Sequence, residues 1–339
     1  MRIGYNPHRD EQQEKSDYFH QVVIPVYIPN FEDYFKDSFE ILQLCLNSLL
    51  KTVHKKTYIT IVNNGSSVKI LNYLDDLLEK NQINELIHTN NIGKLNAILK
   101  GISGHQFDLV TIADADVMFL NNWQNATYKV FDSFPKAGAI CPTPSSKSLR
   151  MYTSNIYWNY FFSKKIKFSD VENKNALINF ANSVGDENFY NVEQLNQYLT
   201  ITSNETKAVV GGGHFVATYR FDIFDNLNYK YTQYKLGGDS EKNILDFPVI
   251  KKGFWRLSTS DNYAYHMGNV KEDWMDEAFA KIIQNNKNVS FELQKIKPES
   301  KFSYFIKSKL FGKFILTKKI MRLFLMWKGL TKQEAQNYI

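Results

Sequence analysis

Asp108-Leu-Val-Thr-Ile-Ala-Asp114-Ala-Asp116 runs from a strand-forming stretch straight into a pair of carboxylates. Residues 109–113 carry no charge and include β-branched side chains, the composition of a strand buried on both faces. The same pattern recurs on the N-terminal side. Residues 21–29, Gln-Val-Val-Ile-Pro-Val-Tyr-Ile-Pro, read as a buried strand stopped by proline. Residues 57–62, Thr-Tyr-Ile-Thr-Ile-Val, form a second strand that breaks at Asn63-Asn64-Gly65-Ser66. Between these strands, Asp37 with Glu40 three residues later predicts a capping box, and Phe39, Leu42, Leu46 and Leu49 follow at helical spacing. A helix over 68–80, a short strand over 85–88 and a helix over 94–101 complete the alternation.

Strand and helix alternating with short loops predict an α/β fold, a mostly parallel, doubly wound, Rossmann-like sheet. Ligands of such sheets lie beyond the carboxyl ends of the strands. Pro25 to Tyr27, Asn63-Asn64, Gly93-Lys94 and Asp114 to Asp116 all fall at those ends, so they are expected to converge on one crevice. Two carboxylates held at a strand end suit a hard divalent cation, which takes oxygen ligands and neutralises a bound diphosphate. The bland alternative is a solvated turn or a helix N-cap.

Beyond about residue 140 the alternation weakens, and residues 151–207, rich in aromatics, Asn and Lys, give no clear pattern. Gly211-Gly212-Gly213 followed by His214 to Tyr219 predicts a strand entered through a glycine turn. Gly237-Gly238-Asp239-Ser240-Glu241 opens a helix expected to end near Lys252, with Gly253 at its C′ position. A strand-like segment ends at His266-Met-Gly-Asn269.

The chain has 339 residues, 43% hydrophobic and 22% charged, a globular composition. Cys45 and Cys141 form no metal-type pair or disulfide framework, which fits a reducing compartment, and Cys45 reads as a buried apolar filler. Residues 1–21 hold no apolar run of signal-peptide type, and no stretch of about 18 apolar residues predicts a transmembrane helix. Residues 301–328 contain eight basic side chains and no acidic one, so the rest of the chain carries −2 of the +6 total. With Phe302, Phe305, Ile306, Leu310, Phe314, Ile320, Leu323, Phe324 and Trp327 interleaved, 301–330 predicts one or two basic amphipathic helices on an anionic membrane surface. A helix packed on the domain with solvated lysines is the alternative. Nucleic acid is not an expected partner, since no reading module or second basic groove is evident. P-loop, Gly-x-Gly-x-x-Gly and His-Glu-x-x-His motifs are missing from the sequence.

Seven segments stand in order over about residues 20–270: Val-Ile-Pro25-Val-Tyr27, Val62-Asn-Asn-Gly-Ser66, Asn91-Ile-Gly-Lys94, Ala113-Asp-Ala-Asp116, Gly211-Gly-Gly213, Gly238-Asp-Ser-Glu241 and Tyr265-His-Met-Gly-Asn269. Together they resemble the family 2 glycosyltransferases of GT-A fold. The resemblance implies inverting transfer of a sugar from a nucleotide-diphosphate donor to an acceptor hydroxyl, with Mn²⁺ or Mg²⁺ as cofactor. It implies that Pro25 and Tyr27 line the base and ribose pocket, that Asn63 or Asn64 contacts the base, that Gly93 admits the donor, and that Lys94 reaches a phosphate. Asp114 would bind ribose or donor sugar, and Asp116 with His266 would ligate the metal. Asp239 corresponds to the catalytic base, with Glu241 the alternative; Gly212, Gly213 and His214 would face the acceptor or sugar. The family commonly has aspartate where Asn63 stands and an acidic residue where Gly238 stands.

Four regions follow: an extension (1–20), a nucleotide-sugar-binding half (21–140), an acceptor-binding and catalytic half (141–270), and a helical C-terminal region with a membrane-surface tail (271–339). The expected setting is surface polysaccharide or glycolipid assembly, in the cytoplasm and peripheral on the inner face of the cell membrane. A non-catalytic nucleotide-sugar-binding or membrane-associated scaffold is the competing reading. A sugar nucleotidyltransferase is less favoured, because Pro25-Val-Tyr-Ile-Pro29 stands where a glycine-rich loop with Arg and Lys would be needed.

Overall fold

A computed structural model describes residues 4–6, 8–12, 16–225, 227, 230–287 and 289–339, so part of the expected 1–20 extension lies outside the described residues. The N-terminal half is built as the alternation predicts. Strands β1 (His20–Val26), β2 (Thr57–Asn64), β3 (Glu85–Thr89) and β4 (Leu109–Ala113) are connected through helices α1 (Ser38–Thr52), α2 (Val68–Glu79) and α3 (Lys94–Ile102). β1 pairs in parallel with both β2 and β4, and β2 with β3. Both faces are covered. Val22, Ile24 and Val26 pack with α1 and α2, while Val23 on the opposite face packs with α3. Each such fully buried Val or Ile contributes roughly 1.5–3 kcal/mol relative to exposure.

The C-terminal half departs from the expected mostly parallel sheet. The remaining elements include β5 (Val117–Phe119), α4 (Trp123–Ser133), β6 (Ala137–Cys141), α5 (Ser154–Tyr160), β7 (Ile166–Asp170), β8 (Gln197–Ser203), β9 (Thr206–Val210), β10 (Val216–Arg220), β11 (Trp255–Thr259) and β12 (Ala264–His266). The ten-stranded sheet runs β3-β2-β1-β4-β10-β6-β11-β9-β8-β7. It is mixed, with four parallel pairings and five antiparallel ones. The reason is connectivity. β8 and β9 are joined by Asn204-Glu205, both left-handed, as in a two-residue hairpin turn, and a hairpin can only pair antiparallel strands. The unpatterned 151–207 segment supplies β7, β8 and the helix Lys174–Ser183.

Two expectations at element ends resolve differently. Asp37 is the N-cap of α1 but forms no capping box; its Oδ2 accepts the Lys271 N–H at 3.1 Å, tying α1 to the chain after β12. Gly253 is left-handed after the helix, as expected, and a Cβ there would meet Glu299 2.3 Å away. Glu299 receives hydrogen bonds from Lys136, Lys307 and Ser303. Burial pushes its carboxyl up, but these donors outweigh that and hold it at about 2.

The C-terminal helices dock on the domain. Ile315, Met321, Phe324 and Leu325 are buried in the core formed with β6, β8, β9 and α5. Among the described residues no helix is long and apolar enough to cross a membrane.

Beneath the sheet, on the α4 side, lies a buried polar network. His20 meets Tyr128 OH at 2.5 Å and Thr111 Oγ1 at 2.7 Å; His54 Nε2 meets the same hydroxyl at 2.8 Å. Burial first, then His54, pulls His20 well below the ordinary imidazole range. Burial, then Lys56, lowers His54 to about 4. A histidine depressed in the folded state takes up its proton more readily once unfolded, so its contribution is complete above about pH 6.5 and is lost as pH falls toward 4. Denaturant titrations across that window should show stability declining by up to about 1.4 kcal/mol per pH unit for each such proton. In His54→Gln the decline should be shallower; an unchanged slope would contradict the assignment.

Candidate active site

A cleft of about 570 Å³ opens at the carboxyl ends of β1, β2 and β4 and at the start of α3. Pro25, Tyr27, Asn64, Lys94, Asp114 and Asp116 line it, as the crevice argument requires. Tyr34 and Phe35, not singled out from the sequence, form an aromatic wall with Tyr27: Tyr27 and Phe35 meet edge-on at 6.0 Å, Tyr34 and Phe35 at 5.1 Å. Asn63 stands apart. It is buried with its amide committed to His88 Nδ1 at 2.9 Å and to the Ser66 N–H at 3.0 Å, while Asn64 reaches the cleft. The alternation of a strand decides this, since neighbours point to opposite faces.

Gly93 is left-handed, and a Cβ there would lie 2.8 Å from Lys235 Cα. The close approach comes from a strap, residues 231–236. Lys235 O accepts the Lys94 N–H at 2.9 Å, and Asn96 exchanges two hydrogen bonds with Thr232. Lys235 and Leu236 of this strap form part of the cleft wall.

Lys94 Nζ sits 2.5 Å from Asp114 Oδ1 and 3.8 Å from Glu241 Oε1. Burial works to lower the ammonium, but Asp114, with Glu241 and Asp116, outweighs it and raises Lys94 above its ordinary value. The structure thus brings Glu241 beside Lys94, itself a cleft residue. Asp239 faces outward: its carboxyl is 68% exposed and pairs with Lys242 at 3.0 Å. Gly237, Gly238 and Asp239 are three consecutive left-handed residues. A Cβ on Gly238 would strike the Tyr234 ring at 2.2 Å, which accounts for glycine where the family commonly carries an acidic residue.

The pairing of β5 with β12 sets His266 opposite Val117 and thereby beside Asp116, across 150 residues of chain. His266 Nε2 lies 3.4 Å from Asp116 Oδ2. His266 Nδ1 meets Ser183 Oγ at 2.8 Å, and that hydroxyl donates to Phe180 O. With the Ser183 hydroxyl committed to Phe180 O, a neutral His266 ring would carry its proton on Nδ1 and turn the Nε2 electron pair toward Asp116. Burial first, then Asp114, raises Asp116 to about 6, against the opposing pull of His266 and Lys94. Asp116 Oδ1 is buried without a hydrogen-bond partner. Such a pair of acceptor atoms, with one carboxylate oxygen unsatisfied, is the donor set a divalent cation fits, since adjacent ligands at about 2.1 Å from an ion stand about 3 Å apart. No group of three or more His, Cys, Asp or Glu suited to a metal occurs among the described residues, so phosphate oxygens or water would complete the shell.

Gly212, Gly213 and His214 do not line the cleft but stand behind it, between β9 and β10. Arg256 Nη2 donates to Gly212 O at 2.9 Å, and His214 Nε2 meets Asp246 Oδ1 at 2.8 Å. Ser183, Asp246 and Arg256 were not anticipated. Asp246 within Ile244-Leu-Asp-Phe247 and Arg256 between Trp255 and Leu257 are charges at core positions, a sign readable in the sequence.

Residues 22–199, more than half of the chain, match the family described as glycosyl transferase family 2. Poly-β-1,6-N-acetyl-D-glucosamine synthases of Staphylococcus aureus strains are 31% identical over 108 residues, 31% of this chain and 26% of the relative, so the chain spans about a quarter of their length in the match. Among solved structures, Staphylococcus aureus TarS 1–349 in complex with UDP-GlcNAc is 13% identical, with 94% of this chain and 70% of that chain covered and a TM-score of 0.42. A mannosyltransferase from Pyrobaculum calidifontis, in complex with GDP-Man and Mn²⁺, gives 13% identity, 94% and 73% coverage and a TM-score of 0.42. On the family match, the chain belongs to glycosyl transferase family 2 and is a glycosyltransferase.

Proposed function

We propose that the chain transfers a sugar from a nucleotide-diphosphate donor to an acceptor hydroxyl, with inversion at the anomeric carbon and with Mn²⁺ or Mg²⁺ held by Asp116 and His266. The observation that carries this reading is the contact of Asp116 Oδ2 with His266 Nε2 at 3.4 Å, with Asp116 lining a cleft that also holds the Lys94 ammonium. An imidazole ligand favours Mn²⁺ over Mg²⁺, which prefers oxygen. A divalent cation there would compensate the charge of the departing diphosphate. The aromatic wall of Tyr27, Tyr34 and Phe35 takes the nucleobase, Asn64 lies at its edge, and Lys94 meets a phosphate oxygen. Glu241 is the better placed base. It receives the acceptor's proton as the new bond to the anomeric carbon forms and the bond to diphosphate breaks. Asp239 would need its turn to rearrange to do the same. Assembly of a surface polysaccharide or glycolipid is supported by the name of the Staphylococcus aureus relatives.

The partner surface of this reading is an anionic membrane on the cytoplasmic side. The docked C-terminal helices leave a second apolar face outward, and it extends beyond the tail. Rings run from Phe314 through Phe311 and Phe161 to Phe162 and Trp327, each 5.0–6.5 Å from the next. Phe162 is 86% exposed, and Trp327, Leu323 and Phe314 are about half exposed. Lys301, Lys309, Lys313, Lys318 and Lys319 of the C-terminal helices are exposed. Lys328 is tied to Phe161 O at 2.8 Å and lies 3.8 Å over the Trp327 ring, fixing that aromatic outward. Exposed aromatics ringed by lysines suit the interface of a bilayer carrying negative headgroups.

Calorimetric titration with Mn²⁺ and nucleoside diphosphates should show binding that Asp116→Asn abolishes and Ser183→Ala weakens about 10–100-fold. Binding should also weaken below about pH 6, where a proton competes for Asp116; metal-independent binding, or an unaffected Asp116→Asn, would sink the site. Glu241→Gln should lower transfer about 10²–10⁴-fold with donor affinity retained, and Asp239→Asn should cost less. The reverse order would make Asp239 the base. Sedimentation with phosphatidylglycerol-containing vesicles should capture the intact chain, and the double substitution Phe162→Ser, Trp327→Ser should release it. Equal capture by neutral vesicles, or by the variant, would contradict a membrane-facing surface.

A further inference from the structure

The strap 231–236 separates two spaces. Lys235 and Leu236 line the cleft, while Tyr231, Thr232, Gln233 and Tyr234 line a second cavity of about 280 Å³. Its opposite wall is Ser240, Asn243 and Ile244, at the start of the helical segment that carries Glu241. The floor is held firmly. Thr232, Ser240 and Ile244 are buried. Thr232 Oγ1 meets Ser240 Oγ at 2.7 Å and accepts the Tyr234 N–H at 3.2 Å, and Thr232 is tied by two further hydrogen bonds to Asn96. The Tyr234 ring packs on Gly238, where the missing Cβ leaves it room. The rim is open. Tyr231 is 69% and Tyr234 47% exposed. The amides of Gln233 and Asn243 and both tyrosine hydroxyls make no hydrogen bond among the described residues. No charged side chain lines this cavity among the described residues, whereas Lys94, Asp114 and Asp116 all line the cleft.

We propose that this cavity is a subsite for an uncharged sugar unit of the acceptor, the neighbour of the unit whose hydroxyl is glycosylated. A sugar ring has an apolar face and a hydroxyl edge. The tyrosine rings and Ile244 suit the face, and amides, which both donate and accept, suit the edge. A phosphate would meet no cation there, and a metal ion no carboxylate. Position supplies the rest. Ser240 of the floor directly precedes Glu241, whose carboxylate lies 3.8 Å from the Lys94 ammonium of the cleft. A run of sugars seated in the cavity therefore ends beside the candidate base. Binding gained there, away from the reacting hydroxyl, holds that hydroxyl in place for attack. The inference rests on the glycosyltransferase reading and assigns its acceptor class, a neutral oligosaccharide in preference to a single sugar.

The full-length chain, with Mn²⁺ and UDP or GDP present, would be titrated with mono- and tetrasaccharides of glucose, galactose, mannose and N-acetylglucosamine. Glycerol 3-phosphate serves as the charged competitor. At least one tetrasaccharide should bind about tenfold more tightly than its monosaccharide. Asn243→Trp, which fills the cavity, and the double substitution Gln233→Ala, Asn243→Ala should each remove that advantage. Nucleoside diphosphate binding should stay within about twofold in both, with thermal melts reporting their folding. Tetrasaccharides no tighter than monosaccharides, an advantage that survives both variants, or displacement by glycerol 3-phosphate would overturn the proposal. Transfer assays with UDP- and GDP-sugars separate the two readings. Tetrasaccharide binding without turnover of any donor would overturn the glycosyltransferase reading. Turnover indifferent to acceptor length and to Asn243→Trp would overturn the subsite alone.

Discussion

Asp116 Oδ2 and His266 Nε2 face each other across 3.4 Å, and contacts from several distant elements hold them there. The short β5–β12 ladder sets the distance. Ser183 Oγ, committed as a donor to Phe180 O, sets the tautomer of a neutral imidazole. Gly268 is left-handed where a Cβ would press on Ser183 O at 2.7 Å, so the chain after β12 can pass close to the helix that supplies that serine. Burial then raises Asp116, which makes the carboxylate costly to keep charged without a cation beside it.

The two halves of the sheet contribute unlike things. The parallel half presents strand ends, and with them an aromatic wall, Asn64, Lys94 and the two aspartates. The mixed half presents loops and one helix: Glu241 toward Lys94, and His214 locked to Asp246. The strap 231–236 joins the halves through its hydrogen bonds to Lys94 and Asn96. The family match ends at residue 199, so Glu241, His214 and His266 lie beyond it.

The parallel half was legible because β1, β2 and β4 are largely apolar runs and amphipathic helices follow the first three strands, so local pattern and global fold agree. What depended on side-chain direction was not. Asn63 and Asn64 read alike in sequence, and only the register shows that one turns to His88 and the other to the cleft. Asp239 and Glu241 were both candidates, and the left-handed run from Gly237 to Asp239 decided between their directions. The antiparallel half was hidden in 151–207, because its hairpin turns at Asn204-Glu205 without the usual glycine. The C-terminal helices were legible as helices. Their docking was not, because aromatic residues lie on both the buried and the exposed side.

Pulsed electron paramagnetic resonance of Mn²⁺ bound with a nucleoside diphosphate would report whether Asp116 and His266 share one cation. A shared cation gives coupling to one directly bound imidazole nitrogen, lost in His266→Gln and kept in His214→Asn. Bound Mn²⁺ without nitrogen coupling, or coupling that survives in His266→Gln, would contradict it.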